Sequence, residues 1–370
     1  MVKKNISSLD LTAIVNELQF LVNGRITKVY QPEQKELVLQ LHVPGKGKQL
    51  LRIFPGMFLN LTGTKESTLR PSGLSLQLRK YLDNAYLREI YQKDSERIVI
   101  LVFEGKNPNA KEQEITKYHL IIELFSKGNL ILTDKDWKII TSSTAQVWES
   151  RTVKVRETYQ FPPESFNWKT ATLKQIIEVI KKSDKKNLAT CLAIELSFGG
   201  LYAEEVCKIS DVDSKKEISE VTDQDIKQVF KGLRKVLELL EKPAGFVYED
   251  NVLPLELTGQ KSIKKLKSFN EALDTLNPLE KRSPYENKIK SIQGIINDQE
   301  KAITELEQSI ELNTREGELI YEKYQNLQKL LEIVKELRKS KEWTEISKEL
   351  KKEKKIKQVD LKNKKIMVDL

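Results

Sequence analysis

Between residues 289 and 334 apolar side chains recur on a seven-residue repeat, and this repeat constrains the chain more than any other feature. The seam positions are Ile289, Ile292, Ile296, Gln299, Ile303, Leu306, Ile310, Asn313, Gly317, Ile320, Tyr324, Leu327, Leu331 and Val334; eleven of the fourteen are apolar. A repeat held this long predicts one arm of a coiled coil, and an unbroken helix over it reaches roughly 70 Å at 1.5 Å per residue. Eleven apolar side chains are costly to leave wet. The arm is therefore expected to self-associate, with Gln299, Asn313 and Gly317 as weak points, or to fold back near Asn313 and Gly317. Residues 339–370 follow with 11 lysines against 6 acids and end in the strand-like run Lys365 to Leu370.

The remaining chain is apolar enough, at 39% overall in 370 residues, to build cores for two or three domains. Lys and Arg number 63 against 54 Asp and Glu, and a net charge of +9 suits phosphate-bearing partners, although most charges at this density form solvated surface. The two cysteines, Cys191 and Cys207, stand in apolar helical contexts and read as buried free thiols, not as a disulfide or zinc framework. The start, MVKKNISSLD, has no apolar signal core, and no apolar run approaches 18 residues. A cytoplasmic protein with no membrane partner is expected.

Ser7-x-x-Asp10 before Leu11, Ile14, Leu18 and Leu21 predicts a capped amphipathic helix ending near Gly24. From 25 to about 63 the period changes to two, with Leu37, Leu39, Leu41 and Val43 alternating with Val38, Gln40 and His42, and Pro44 to Lys48 marking a turn. A second helix is expected from Ser72 to Asp83. Arg97 to Phe103, apolar on both faces, and Tyr118–Phe125 and Leu130–Thr133 around the turn Ser126 to Asn129 then read as strands. Residues 1–168 thus form one mixed α+β domain, 169–283 an all-α module with its linker, 284–340 the arm, and 341–370 the basic tip segment. Within the helical module, Leu196-Ser197-Phe198-Gly199-Gly200-Leu201 approximates a helix-hairpin-helix turn, which offers backbone N–H groups to a phosphate; Ser197 stands where the first turn glycine usually sits.

Much chemistry is absent. There is no G-x-x-x-x-G-K-[ST] and no G-x-G-x-x-G, and Gly45-Lys46-Gly47-Lys48 lies between strands, so no nucleotide-hydrolysing engine is expected. His42 and His119 are the only histidines, both in strand patterns, which disfavours His-based triads and multi-His metal sites. Nothing in the carboxylate spacing singles out a pair for acid/base work. No cofactor and no metal are implied.

Several segments together resemble one family. They are Ser8-Leu9-Asp10-Leu11 with Val29-Tyr30-Gln31; Pro71-Ser72-Gly73-Leu74-Ser75-Leu76-Gln77-Leu78-Arg79-Lys80-Tyr81-Leu82; Glu123-Leu124-Phe125-Ser126-Lys127-Gly128-Asn129-Leu130; Glu157-x-Tyr159-x-x-Pro162-Pro163; Phe269-Asn270-Glu271-Ala272-Leu273; Leu319-Ile320-Tyr321-x-x-Tyr324; and Trp343-x-x-Ile346. In this order they resemble the NFACT family of ribosome-associated quality-control proteins, of the NEMF/fibronectin-binding-protein-A type. The resemblance implies a glycosylase-like α+β N-terminal domain, a helix-hairpin-helix module and a coiled-coil arm. It implies binding to a large ribosomal subunit that carries obstructed peptidyl-tRNA, holding of tRNA, and template-free C-terminal tailing, alanine-type in prokaryotes. The ribosome would make the peptide bond, so no covalent chemistry falls to this chain's side chains. In the family a return arm and a basic C-terminal domain follow the tip, so this chain is expected to be incomplete. Two rivals are a DNA glycosylase and a fibronectin-binding adhesion factor. The first needs an N-terminal proline nucleophile where this chain begins Met1-Val2-Lys3, and the second needs secretion.

The family's tailing residues, an early aspartate and an Asp-Arg pair, carry over to Asp10 and Glu96-Arg97. Glu96 departs from the pair by one methylene, which puts tailing in question more than ribosome binding. Asp10 also reads as a cap residue, and Arg97 as a strand-start surface charge. Arg79 and Lys80 leave the apolar stripe of their helix and read as RNA phosphate contacts or as solvated charges. Gly199 and Gly200 make the turn under either reading, with phosphate contact as the functional alternative.

Overall fold

The structure is a computed structural model that describes residues 5–33, 35–63, 71–110, 112, 114–148, 151–276, 286–350, 356–360 and 365–368. The expectations for Met1-Val2-Lys3, for Asp369-Leu370 and for a boundary at 283 lie outside the described residues. The chain divides into two compact units, residues 1–279 and 280–370.

The first unit opens with α1 (Ser8–Glu17), held by a reciprocal capping box. The Ser7 hydroxyl accepts the Asp10 N–H at 3.0 Å and the Asp10 carboxylate accepts the Ser7 N–H at 2.8 Å. Two antiparallel meanders follow. The first is β1 (Arg25–Tyr30), β2 (Leu37–Val43), β3 (Gly47–Phe54) and β4 (Phe58–Leu61). After α2 (Gly73–Leu82), capped by the Ser72 hydroxyl, come β5 (Tyr86–Gln92), β6 (Ile98–Lys106), β7 (Ile115–Glu123), β8 (Asn129–Thr133) and β9 (Ile139–Ser142). They form one nine-stranded sheet in the order β4-β3-β2-β1-β5-β6-β7-β8-β9, and β1 meets β5 only at the pair Arg25 and Tyr86.

Strand β6 is apolar on both sides because both sides are covered. Val99, Leu101 and Phe103 enter the main core, while Ile98, Ile100 and Val102 enter a smaller one with Ile121, Val153 and Tyr159. That second core lies with the short hairpin β10 (Gln146–Val147) and β11 (Thr152–Val153) and the segment after it. At the β7–β8 turn Gly128, at φ +71°, packs so tightly against Gly56 that a Cβ there would sit 1.9 Å from the Gly56 nitrogen.

The helical part comprises α3 (Leu173–Lys182), α4 (Leu188–Ile194), α5 (Gly199–Ile209) and α6 (Asp223–Glu241). The module is not all-α as expected: a three-stranded sheet of β12 (Gly245–Val247), β13 (Val252–Leu253) and β14 (Lys264–Leu266) follows, its strands too short to show a period of two in the sequence, then α7 (Phe269–Asp274). The main core continues into it through Trp168, Leu192, Phe198, Val229 and Phe269. Glu17 seats α7: its carboxylate accepts the Phe269 and Asn270 N–H groups at 2.7 and 2.8 Å, an anionic cap on a helix N-terminus.

In the second unit, α8 (Glu286–Glu322) and α9 (Tyr324–Ser340) follow the heptad seam. The helix runs unbroken through Gln299, Asn313 and Gly317, which rules out the fold-back there; a mid-helix glycine costs only about 1 kcal/mol. The interruption falls instead at Lys323 (φ −106°, ψ 15°), which divides the seam between helices of 37 and 17 residues. The ladder still crosses it, since Lys323 N–H donates to Leu319 and Leu327 N–H to Lys323. No proline or glycine stands there, and nothing in the structure explains the pause. The side chain of Ile289 lies outside the described residues; from Ile292 to Tyr324 the apolar seam residues are exposed, whereas Val334 is buried with Ile346 and Leu350 of α10 (Trp343–Leu350). The tip closes with β15 (Ile356–Asp360) and β16 (Lys365–Val368), an antiparallel pair whose Ile356 and Ile366 pack on that small core. Among the described residues no helix is long and apolar enough to cross a membrane.

Candidate functional site

Three backbone segments meet in the first unit: the N-terminus of α1, the β5–β6 loop that carries Glu96 and Arg97, and the α4–α5 turn. Gln92, at the end of β5, ties two of them together. Its amide Nε2 donates to the Ser8 carbonyl at 3.0 Å and the Glu96 carbonyl at 2.8 Å, and its Oε1 accepts from the Thr12 hydroxyl and the Lys169 ammonium, both at 2.7 Å. Ser8 Oγ in turn donates to the Ser197 carbonyl at 3.4 Å.

Two cavities open here. One, of about 270 Å³, is lined by Asp10, Gly199, Gly200 and Tyr202 among others; the other, of about 490 Å³, by Glu96, Arg97, Phe125, Ser165 and Gly199. Ser7 and Phe198 belong to both walls. Five of the seven expected residues are thus gathered in one place. Arg79 and Lys80 are not: they line a cavity of about 620 Å³ with Lys28 and Tyr30 that shares no lining residue with the other two. The Arg79 guanidinium donates twice to the Val29 carbonyl, at 2.9 and 2.7 Å, and Lys80 donates to Asn109 at 3.0 Å.

Asp10 is 1% exposed. Beside its bond from Ser7, its second oxygen accepts the Tyr202 hydroxyl at 2.7 Å, joining the α1 N-terminus to α5 across 192 residues of chain. Burial, reinforced by that carboxylate, pushes the Tyr202 phenol well above its ordinary range, so it stays a donor. Asp10 is therefore both the cap residue and an anchor for the wall carrying Gly199 and Gly200.

Glu96, in the wall of the cavity of about 490 Å³, is tied to Ser165. Its Oε1 accepts the Ser165 N–H at 2.8 Å and also the Ser165 hydroxyl. Further contacts run in register: Ser95 Oγ to the Phe166 carbonyl at 2.8 Å, Asn167 Nδ2 to Asp94 at 3.2 Å, and Lys169 to Gln92. Residues 165–169 thus form a strap along the loop, and Arg234 of α6 fixes its far end by donating to the carbonyls of Lys169 and Ala171 at 3.0 and 2.7 Å. Burial drives the Lys169 amine down to about 8, with Asp94 opposing.

Arg97 differs from its neighbours. It is half-buried, and burial lowers its pKa against the pull of Glu96, yet its guanidinium makes no hydrogen bond or ion pair among the described residues. Opposite, α5 begins with no side-chain cap and no acid in its first turn. Ser197 at φ +57° and Gly199 at φ +73° turn the chain into that helix, and a Cβ built on Gly199 or Gly200 would meet nothing within 4 Å. An unpaired cation beside an open helix N-terminus is an anion-binding arrangement.

Sequence reasoning missed Gln92, Ser165, Lys169 and Tyr202, whose partners lie far along the chain. His42 is an exposed β2 residue. His119 is buried in β7, stacked on Trp137 with ring centroids 4.2 Å apart, and burial lowers its pKa. Cys191 and Cys207 are buried free thiols; burial pushes the Cys207 thiol up to about 12. Among the described residues no cluster of three or more His, Cys, Asp or Glu is placed to hold a metal.

The chain is 30% identical to the archaeal Rqc2 homolog aRqcH of Methanocaldococcus jannaschii, in a match covering 92% of this chain and 53% of that protein. It is 23% identical to the human ribosome quality control complex subunit NEMF, covering 92% and 35%, and 36% identical to the Rqc2 homolog RqcH of Streptococcus pneumoniae, covering 47% and 34%. The matched segments therefore span about half the length of the first relative and about a third of the others. Its fold is similar to the N-terminal part of the fibronectin/fibrinogen-binding protein of Streptococcus suis, with TM-score 0.60 and 22% identity over 73% of this chain and 98% of that one. A similar likeness, TM-score 0.59 at 20% identity over 72% and 97%, holds for the fibrinogen binding protein of Staphylococcus aureus. Nearly the whole sequence, residues 7–369, matches the family described as NFACT N-terminal and middle domains, and the chain belongs to that family.

Proposed function

We propose that this chain acts in ribosome quality control, holding tRNA on a large ribosomal subunit that carries obstructed peptidyl-tRNA and promoting template-free, alanine-type C-terminal tailing. Relatives that bear ribosome quality control names support the setting. The observation that carries the RNA-binding part is Arg97, a half-buried guanidinium without a partner among the described residues, in a cavity walled by the uncapped N-terminus of α5. On this reading Arg97 and the α5 amides take phosphate oxygens, the α4–α5 turn serves as the helix-hairpin-helix, and Asp10 and Glu96 fix the two walls. The chain contributes positioning and charge neutralisation, and the ribosome makes the peptide bond.

Sequencing RNA crosslinked to the protein in cells tests the reading: tRNA and large-subunit rRNA should dominate, and Arg97→Ala should deplete the tRNA share. Recovery dominated by other RNA, or unaffected by the substitution, would sink it.

A further inference from the structure

A fourth cavity, of about 290 Å³, shares Phe125 with the Arg97 cavity. The two are also linked through the backbone, since the Leu124 N–H donates to the Arg97 carbonyl at 2.8 Å and places Phe125 one residue from that bond. Its rim carries Trp148, 38% exposed, Val147, 77% exposed, and the exposed Lys127.

Lone exposed aromatics are common on protein surfaces. This one is clamped. The Arg151 guanidinium lies 4.3 Å from the Trp148 ring centroid and 5.6 Å from that of Phe125. Arg151 is itself buried and fixed by a 2.6 Å ion pair with buried Glu123, which also accepts the Tyr159 hydroxyl at 2.9 Å. The Trp148 N–H donates to the Arg151 carbonyl at 2.9 Å, so the loop is tied to the cation beneath the ring. Glu123, the acid in this wall, is neutralised by Arg151, which leaves Lys127 as the rim charge; in the neighbouring cavity Glu96 is bonded to Ser165, while Arg97 makes no hydrogen bond or ion pair among the described residues.

An indole clamped on a guanidinium, 38% exposed, beside Lys127 and sharing Phe125 with the Arg97 cavity, matches the chemistry of a base on its phosphate backbone better than that of an apolar peptide. We infer that Trp148, backed by Arg151 and flanked by Phe125, is a stacking ledge for an unpaired nucleobase of the RNA whose phosphate Arg97 takes. This rests on the RNA-binding reading above and adds to it a requirement for a single-stranded segment at this site. The ledge reads no sequence, because every base has a π-face.

The test titrates the full chain with a short single-stranded oligoribonucleotide carrying one 2-aminopurine, whose fluorescence falls on stacking. Wild-type protein should bind and quench it. Trp148→Ala should weaken binding by about tenfold or more, the range of one lost base–aromatic stack, with the salt dependence unchanged because no phosphate contact is removed. Trp148→Phe should restore most of the affinity. Val147→Glu, at the exposed rim, should weaken binding without touching any core, which keeps the inference testable if the alanine variant does not fold. Equal affinity and quenching in wild type, Trp148→Ala and Val147→Glu would remove the ledge from the RNA path and favour a protein partner, with the RNA-binding reading intact. Failure of the wild type to bind any oligoribonucleotide would overturn both.

Discussion

The carboxylate of Glu96 accepts both the backbone N–H and the hydroxyl of Ser165, so the acidic member of the Glu96-Arg97 pair grips the strap and Arg97 alone is left for a ligand. Aspartate is shorter by one methylene, about 1.5 Å, and cannot keep both bonds without moving the backbone. Each bond contributes about 0.5–1.5 kcal/mol at most, less where water competes. Glu96→Asp should therefore lower unfolding free energy by roughly 1 kcal/mol in urea titration while leaving the salt slope of RNA binding unchanged, because Arg97 remains. Unaltered stability would mean that Glu96 does not hold the strap.

Gly200 separates folding from binding. Its backbone is not left-handed, and a Cβ there meets nothing, so the fold does not require glycine. Within a helix, Gly→Ala stabilises by up to about 1 kcal/mol. Gly200→Ala should raise the melting temperature slightly and weaken tRNA binding, because the methyl group stands where a phosphate would approach the α5 amides. Tighter or unchanged tRNA binding in an electrophoretic shift titration would place the ligand elsewhere.

What the sequence made legible is what local rules control. The capping box of α1 is a three-residue relation, and the alternation in β2 is a two-residue one; the box appears as read, and the strand forms with Val38 buried as well as the alternate leucines. Strand β5 was not legible because a register shift between Leu87 and Glu89 breaks its alternation against β6. In the site, Asp10, Glu96 and Arg97 came from the family resemblance, whereas Gln92, Ser165 and Lys169 matter through contacts 69 to 80 residues distant, which no local period encodes. The apolar run Arg97 to Phe103 signalled a doubly covered strand but not what covers it.

Lys169 gives a signature in pH. Its amine has an ordinary value of 10.5 and titrates at about 8 in the folded protein. Between those values the unfolded chain binds more protons than the folded one, so this group makes stability rise with pH from about 8 to about 10.5, and it adds no slope below 8. Lys169→Gln removes that rise. The difference in unfolding free energy between wild type and variant, followed by urea titration across this range, should grow with pH in favour of the wild type. Parallel curves would show that the amine is not depressed.

The arm carries the last prediction. Along α8 the seam residues Ile303, Leu306 and Ile310 are 54%, 62% and 64% exposed, and Leu331 of α9 is 67% exposed, while the same seam is buried at Val334 under the tip. A helix that repeats its apolar residues every 3.5 positions presents a continuous stripe, and each aliphatic side chain fully buried there gains up to about 1.5–3 kcal/mol. The net charge of +9 opposes association, but over a Debye length of about 10 Å at 0.1 M salt the repulsion is largely screened. The 370-residue chain should therefore self-associate in the micromolar range, and more strongly as salt rises. Leu306→Glu with Ile310→Glu places two carboxylates in the stripe, far from any core, and should return the chain to a monomer with its unfolding unchanged. Sedimentation equilibrium decides: a monomer at every concentration for the wild type, or an oligomer that persists in the double variant, would mean that the stripe is not the contact.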